Sequence, residues 1–123
     1  MCQQLSPYDL HVPEDLCKQI CEVIDSRVSP TFRDVMEYFI MKKLGSYVDL
    51  GSALISNPAM VYTTLIDILG FKDTADVILK LLIRRLAEGS RLSLNVDDVV
   101  KGVVSNNRKV VYSFVKQVAF SRS

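Results

Sequence analysis

Residues 73–88 read DTADVILKLLIRRLAE, and this stretch decides the predicted fold class. At about 100° per residue, its leucines, isoleucines, valine and alanines spread around almost the whole helical wheel. Only Lys80, Arg84 and Glu88 mark a narrow polar edge, with Arg85 opposite part of it. A helix that is apolar nearly all round needs neighbours on most of its sides. We therefore expect residues 73–88, capped by Asp73, to form the central apolar helix of an all-α bundle.

The sequence before this stretch carries clear helix start and stop signals. Pro30 and Pro58 each follow a capping residue and suit the first helical turn, where no backbone N–H is needed. Gly45 and Gly70 end the two helices that these prolines begin. Since the connection from Gly70 to residues 73–88 is short, the helix before it and the central helix are predicted to form a tight hairpin.

The 123 residues are predicted to form a single helical domain, a compact bundle of five or six helices. Residues 1–12 are expected to be an irregular lead-in, followed by a first helix over about residues 13–25. Residues 30–89 are predicted to be the helical core unit. Within it, residues 47–55 are ambiguous between one or two helical turns and a short strand. The turns are favoured because a Gly-Ser pair interrupts the strand pattern.

Residues 95–119 carry two conflicting signals. Their many valines are typical of a strand, but from Val99 to Val118 they fall on one arc of about 160° at helical spacing. We therefore expect one long amphipathic C-terminal helix, capped by Asn95 and kinked at most near Asn107. The cations on its opposite arc are Lys101, Arg108, Lys109 and Lys116.

The predicted core follows from the apolar positions of these helices. Its members are Phe32, Val35, Phe39, Ile40, Val61, Leu65, Leu69, Ile78, Leu81, Leu82, Leu86, Val100, Val104, Val111, Phe114 and Val118.

Composition limits the class of protein. Hydrophobic residues make up 49% of the chain and the formal net charge is +1, which favours a compact core or an apolar interface. The longest charge-free run is too short and too polar to cross a bilayer, and the N-terminus lacks the pattern of a signal peptide. We therefore expect no membrane partner and a cytoplasmic location.

Three motifs within residues 35–86 resemble a known family. They read YFIMKKLG, ISNPAMVYTTLIDILG and DTADVILKLLIRRL. Together they resemble uncharacterised archaeal helical modules of the Nitrosopumilus output domain type. The shared pattern is a helix that ends on lysine-leucine-glycine, a proline-led helix that ends on isoleucine-leucine-glycine, and then an apolar helix. The resemblance implies a helical unit that accompanies sensing or regulatory modules. It brings no activity, cofactor or site residue.

No set of residues indicates catalysis, a cofactor or a specific metal. His11, Cys17 and Cys21, with Cys2 as a fourth ligand, contain a Cys-x3-Cys spacing that could reach one ion, but this spacing matches no standard zinc finger. Cys17 and Cys21 are instead expected to be reduced thiols on one helix face. No nucleophile, base and oxyanion donor can be assembled around the lone histidine. We therefore predict no enzyme, no cofactor and no metal.

Two functions remain after these exclusions. The first is a protein-interaction or regulatory module with an unknown protein partner. We expect it to act as a two-fold homodimer, in which the second copy covers the surplus apolar surface of the central helix. Its candidate dimer interface is Leu79, Ile83 and Leu86. The alternative is a DNA- or RNA-binding transcriptional regulator that contacts phosphates through the basic C-terminal helix. The chain has no acid after Asp98, which favours this alternative, whereas its low net charge speaks against it.

Overall fold

A computed structural model describes residues 14–120, and this part of the chain is all-helical, without a strand. The predicted lead-in, residues 1–12, lies outside the described residues. The described helices are α1 (Glu14–Arg27), α2 (Pro30–Leu44), α3 (Leu50–Ser56), α4 (Pro58–Leu69), α5 (Lys72–Ala87), α6 (Val96–Val104) and α7 (Arg108–Phe120). None of them is both long enough and apolar enough to cross a membrane.

The helix ends follow local chemistry in most places. The Ser29 side chain accepts a hydrogen bond from the Phe32 amide at 2.8 Å, which caps α2. Gly45 and Gly70 end α2 and α4 in the left-handed conformation, with φ of 78° and 84°. The predicted capping role of Asp73 is wrong, because α5 begins one residue earlier and Asp73 lies inside its first turn.

The most deeply buried helix is α3 rather than α5. Every residue from 50 to 55 is buried, and α3 contacts α1, α2, α4 and α7. By contrast, α5 packs on α4, α6 and α1 through one side only, and Val77 and Leu81 are exposed on its outer side. The helical wheel could not reveal which side of α5 is exposed, because it does not distinguish an apolar residue on the outer face from one in the core.

The predicted C-terminal helix over residues 95–119 is wrong in its continuity, because the chain forms the two helices α6 and α7. Asn95 caps α6 as expected, accepting a hydrogen bond from the Asp97 amide at 2.7 Å. Between the helices Asn106 adopts a left-handed φ of 61°, a conformation that asparagine tolerates better than most residues. The Asn107 side chain then accepts from the Val110 amide at 3.3 Å, at the start of α7. This break makes seven described helices instead of the expected five or six.

One cluster of buried side chains includes members from all seven helices. Most of the predicted core belongs to it or packs against it. The exceptions are Val35, Leu81 and Val104, which are exposed, and Phe39, which is half-buried outside the cluster. Phe114 of α7 is fully buried. These four exceptions lie on helices that carry apolar residues on more than one face, so that helical spacing alone could not choose the face that meets the core.

Candidate functional site

The chemically richest part of the molecule is a buried polar network at the connection between α2 and α3. The Glu37 carboxylate lies at its centre. It accepts hydrogen bonds from the Arg33 guanidinium at 2.8 Å, from the Tyr47 hydroxyl at 3.0 Å and from the Leu50 amide at 2.8 Å. Because the Leu50 amide belongs to the first turn of α3, Glu37 provides an anion at the positive end of that helix.

A second buried carboxylate, Asp49, caps the same helix. It accepts hydrogen bonds from the Ser52 amide at 2.8 Å, from the Ser52 hydroxyl at 3.0 Å and from the Cys21 thiol at 3.5 Å. Burial alone would raise the pKa of Asp49, but the hydrogen bonds from Ser52, together with that from Cys21, help to hold that pKa below its ordinary value. The carboxylate is therefore an anion that stabilises the buried start of α3.

A pocket of about 330 Å³ opens beside this network, lined in part by Cys21, Asp25, Arg33, Tyr47 and Asp49. The Arg33 guanidinium donates to both oxygens of Asp25, at 2.7 and 3.1 Å, and this pairing raises the pKa of Arg33. Burial and the neighbouring Asp49 raise the pKa of the Cys21 thiol to about 12. Since the thiolate is the nucleophilic form, Cys21 is protonated and unreactive at neutral pH. Of the groups that line this pocket, Arg33 and Asp25 therefore bind each other, and Cys21 binds Asp49.

The cysteines differ from the sequence expectation. Cys21 is a free, buried thiol, but Cys17 is disulfide-bonded, so the prediction of two thiols is wrong for Cys17. His11 and Cys2, the other two candidate metal ligands of the sequence analysis, lie outside the described residues. Within residues 14–120, no group of three ligating side chains is placed to hold a metal ion.

The four cations predicted for nucleic-acid contact lie on two helices rather than on one. Lys101 of α6 lines a groove with Tyr62, Lys80 and Val104, whereas Lys116 of α7 lines a different groove. The predicted stripe assumes one continuous helix, and the break between α6 and α7 divides its four cations between two helices.

Within these two helices, Lys109 is exposed like Lys101 and Lys116, and Arg108 is half-buried. The groove around Lys116 also contains Arg91, Tyr112 and Phe120, and the Lys116 ammonium lies 5.4 Å from the centre of the Tyr112 ring. This second groove therefore combines cations with aromatic rings.

The candidate dimer interface is contradicted by burial. Leu79, Ile83 and Leu86 have no exposed surface, because they form the face of α5 that packs into the core of the same chain. A second chain could not reach them without unfolding this one. The large apolar side chains of α5 that are exposed are Val77 and Leu81, whereas Ile78 is half-buried.

Sequence reasoning missed the outer face of α2. Val35, Tyr38 and Met41 are 40%, 49% and 38% exposed there, and we call these three residues the α2 outer patch. The opposite face of the same helix buries Met36 and Ile40 in the core. The signal was present in the sequence, because α2 carries apolar residues at helical spacing on two faces instead of one.

Comparison of the chain with protein-family models, curated proteins and solved structures finds no match. The resemblance of residues 35–86 to archaeal helical modules therefore stays a prediction.

Proposed function

We propose that this chain is a non-enzymatic protein-interaction module that acts as a homodimer. The observation that carries the proposal is the α2 outer patch. Single exposed apolar residues are common on any protein surface, but here two aliphatic side chains flank an aromatic one on one helix face. Tyrosine and methionine are enriched in protein interfaces, and most soluble oligomers are symmetric pairs of identical chains.

The buried polar network supports the non-enzymatic part of the proposal. Glu37 and Asp49 use their oxygens to hold the start of α3, and Cys21 is a protonated thiol. A catalytic carboxylate or thiol needs instead a poised pKa and a free approach for substrate. The network therefore stabilises the fold beneath the interaction surface, since Glu37 lies on α2 itself.

The proposal predicts a molecular mass that depends on protein concentration. Sedimentation equilibrium should show a shift from the single chain to twice its mass. Tyr38→Glu should weaken this dimer at least about tenfold, because a charge would replace the aromatic centre of the interface. The matched control is Val77→Glu, which changes an exposed apolar residue on the outer side of α5 and should leave the dimer intact. A wild-type chain that stays monomeric at every concentration would refute the proposal.

A second candidate function, nucleic-acid binding, is favoured by the groove of Arg91, Tyr112, Lys116 and Phe120. Cations can contact phosphates there while aromatic rings stack on unpaired bases. The alternative proposal is therefore a DNA- or RNA-binding regulator that uses the two C-terminal helices.

Replacing four cations together tests this alternative. The variant changes Lys101, Arg108, Lys109 and Lys116 to Gln, which has a helix propensity close to that of lysine. If these side chains contact phosphates, affinity for nucleic acid should fall steeply and the salt slope should shrink by about 0.7–0.9 per lost contact. We expect no such binding by the wild type. A control with the same loss of charge replaces the exposed Lys18, Lys72, Arg84 and Arg85. Salt-sensitive binding that only the first variant loses would establish the alternative.

A further inference from the structure

The outer face of α2 has a symmetric order around Tyr38. Val35 and Met41 lie three residues before and after it, and Asp34 and Lys42 lie four residues before and after it. All five side chains are exposed. On a helix, residues three and four positions from a centre share its face. This face therefore carries an acid at one end, a base at the other, and an aromatic ring between two aliphatic side chains.

Some charged side chains of α2 form ion pairs within the chain, and others do not. Arg33 forms ion pairs with Asp25 and Glu37, and Lys43 forms one with Asp67. Within residues 14–120, Asp34 and Lys42 take part in no ion pair. The Lys42 ammonium lies 5.4 Å from the centre of the Tyr38 ring, so it is held over the outer patch. Among the charged side chains of α2, the two without an ion pair to a described residue are therefore those beside the α2 outer patch.

We propose that a second copy of this chain docks on α2 in antiparallel orientation, with the two-fold axis beside Tyr38. The inference rests on the proposed function and specifies its interface. Antiparallel helices place residues before the centre of one copy level with residues after the centre of the other. Asp34 of each copy is then level with Lys42 of the other, and Val35 with Met41. A parallel pair would instead place Asp34 level with Asp34, which is repulsive.

This order of charges also has a second physical explanation, and the test must distinguish it from pairing between two copies. An acid near the start of a helix and a base near its end also complement the helix macrodipole. Dipole complementarity acts within one chain, so exchanging the two charges would weaken α2 itself. Pairing across a two-fold axis acts between chains, so exchanging both charges preserves the attraction.

The test uses Asp34→Lys, Lys42→Asp and the variant with both changes. Each single change places like charges level with each other twice across the axis, and should weaken the homodimer about tenfold at low salt. The double variant should recover to within about threefold of the wild type. Salt should reduce the difference between the single variants and the wild type, because exposed charges are screened.

Mixing the two single variants gives the sharpest readout. One chain then has two bases at these positions and the other has two acids, so the heterodimer should form at least about tenfold more readily than either homodimer. Native mass spectrometry or sedimentation of the mixture measures this, and circular dichroism checks that each variant keeps its helices. If the wild type dimerises but the single variants are unchanged and show no preference for each other, the antiparallel α2 interface is wrong while the proposed function stands. A monomeric wild type would overturn both.

Discussion

Replacing Phe114 by alanine is expected to lower the free energy of unfolding by about 3–5 kcal/mol. Phe114 lies on α7, has no exposed surface, and is among the largest fully buried side chains of the core. Removing its ring takes away the free energy of burial and leaves a cavity that the surrounding helices fill only in part. Because a domain of ordinary stability has only about 5–15 kcal/mol in total, this variant should be close to unfolding.

Phe120 provides a matched control on the same helix. It is 65% exposed, so Phe120→Ala should change stability by no more than about 0.5 kcal/mol. Urea unfolding followed by circular dichroism measures both variants under the same conditions. Equal losses for the two variants would show that α7 does not direct Phe114 into the core. This comparison also tests the break after α6, on which the direction of α7 depends.

Replacing Gly51 by alanine is expected to cost about 3 kcal/mol, through overpacking rather than through a cavity. A Cβ atom at Gly51 would lie 2.6 Å from the Cys17 carbonyl oxygen, 2.7 Å from the Ile20 Cγ2 and 2.9 Å from the Cys21 Sγ. The first of these is a backbone atom, so α1 or α3 must move to relieve the contact. Alanine's advantage over glycine inside a helix, about 0.5–1 kcal/mol, is too small to compensate.

Gly102 is the matched control for this change. It also lies inside a helix, but the three atoms nearest to a Cβ there are side-chain atoms of Val110 and Val111, at 3.1 to 3.6 Å. Since a valine side chain can shift by a few tenths of an ångström, Gly102→Ala should cost about 1 kcal/mol or less. Thermal unfolding of both variants gives the comparison. If Gly51→Ala were as stable as the wild type, the close approach of α1 and α3 would be wrong.

The all-α class and most helix ends could be predicted from the sequence, because local chemistry determines them. Ser29 and Asn95 cap helices through their own side chains, and Gly45 and Gly70 end helices because glycine adopts a positive φ at no steric cost. These interactions join residues only a few positions apart. They therefore need no knowledge of the tertiary structure.

The break after α6 shows where local reasoning fails. The valines of residues 95–119 keep their helical phase across it, which predicts one helix. In the structure, the left-handed Asn106 ends that helix, and its side chain accepts a hydrogen bond from the Ala59 amide at the start of α4. α7 then returns to pack against α6. A contact between residues 47 positions apart has no signature in the periodicity of either segment.

By itself, the sequence determined that this chain is helical, where most helices end, and which residues are apolar. Only the tertiary structure decided which apolar face of each helix is buried. It placed Leu79, Ile83 and Leu86 in the core, and left the α2 outer patch exposed. The physical reason is that burial depends on how seven helices share one core, whereas a helical wheel reports the faces of one helix at a time.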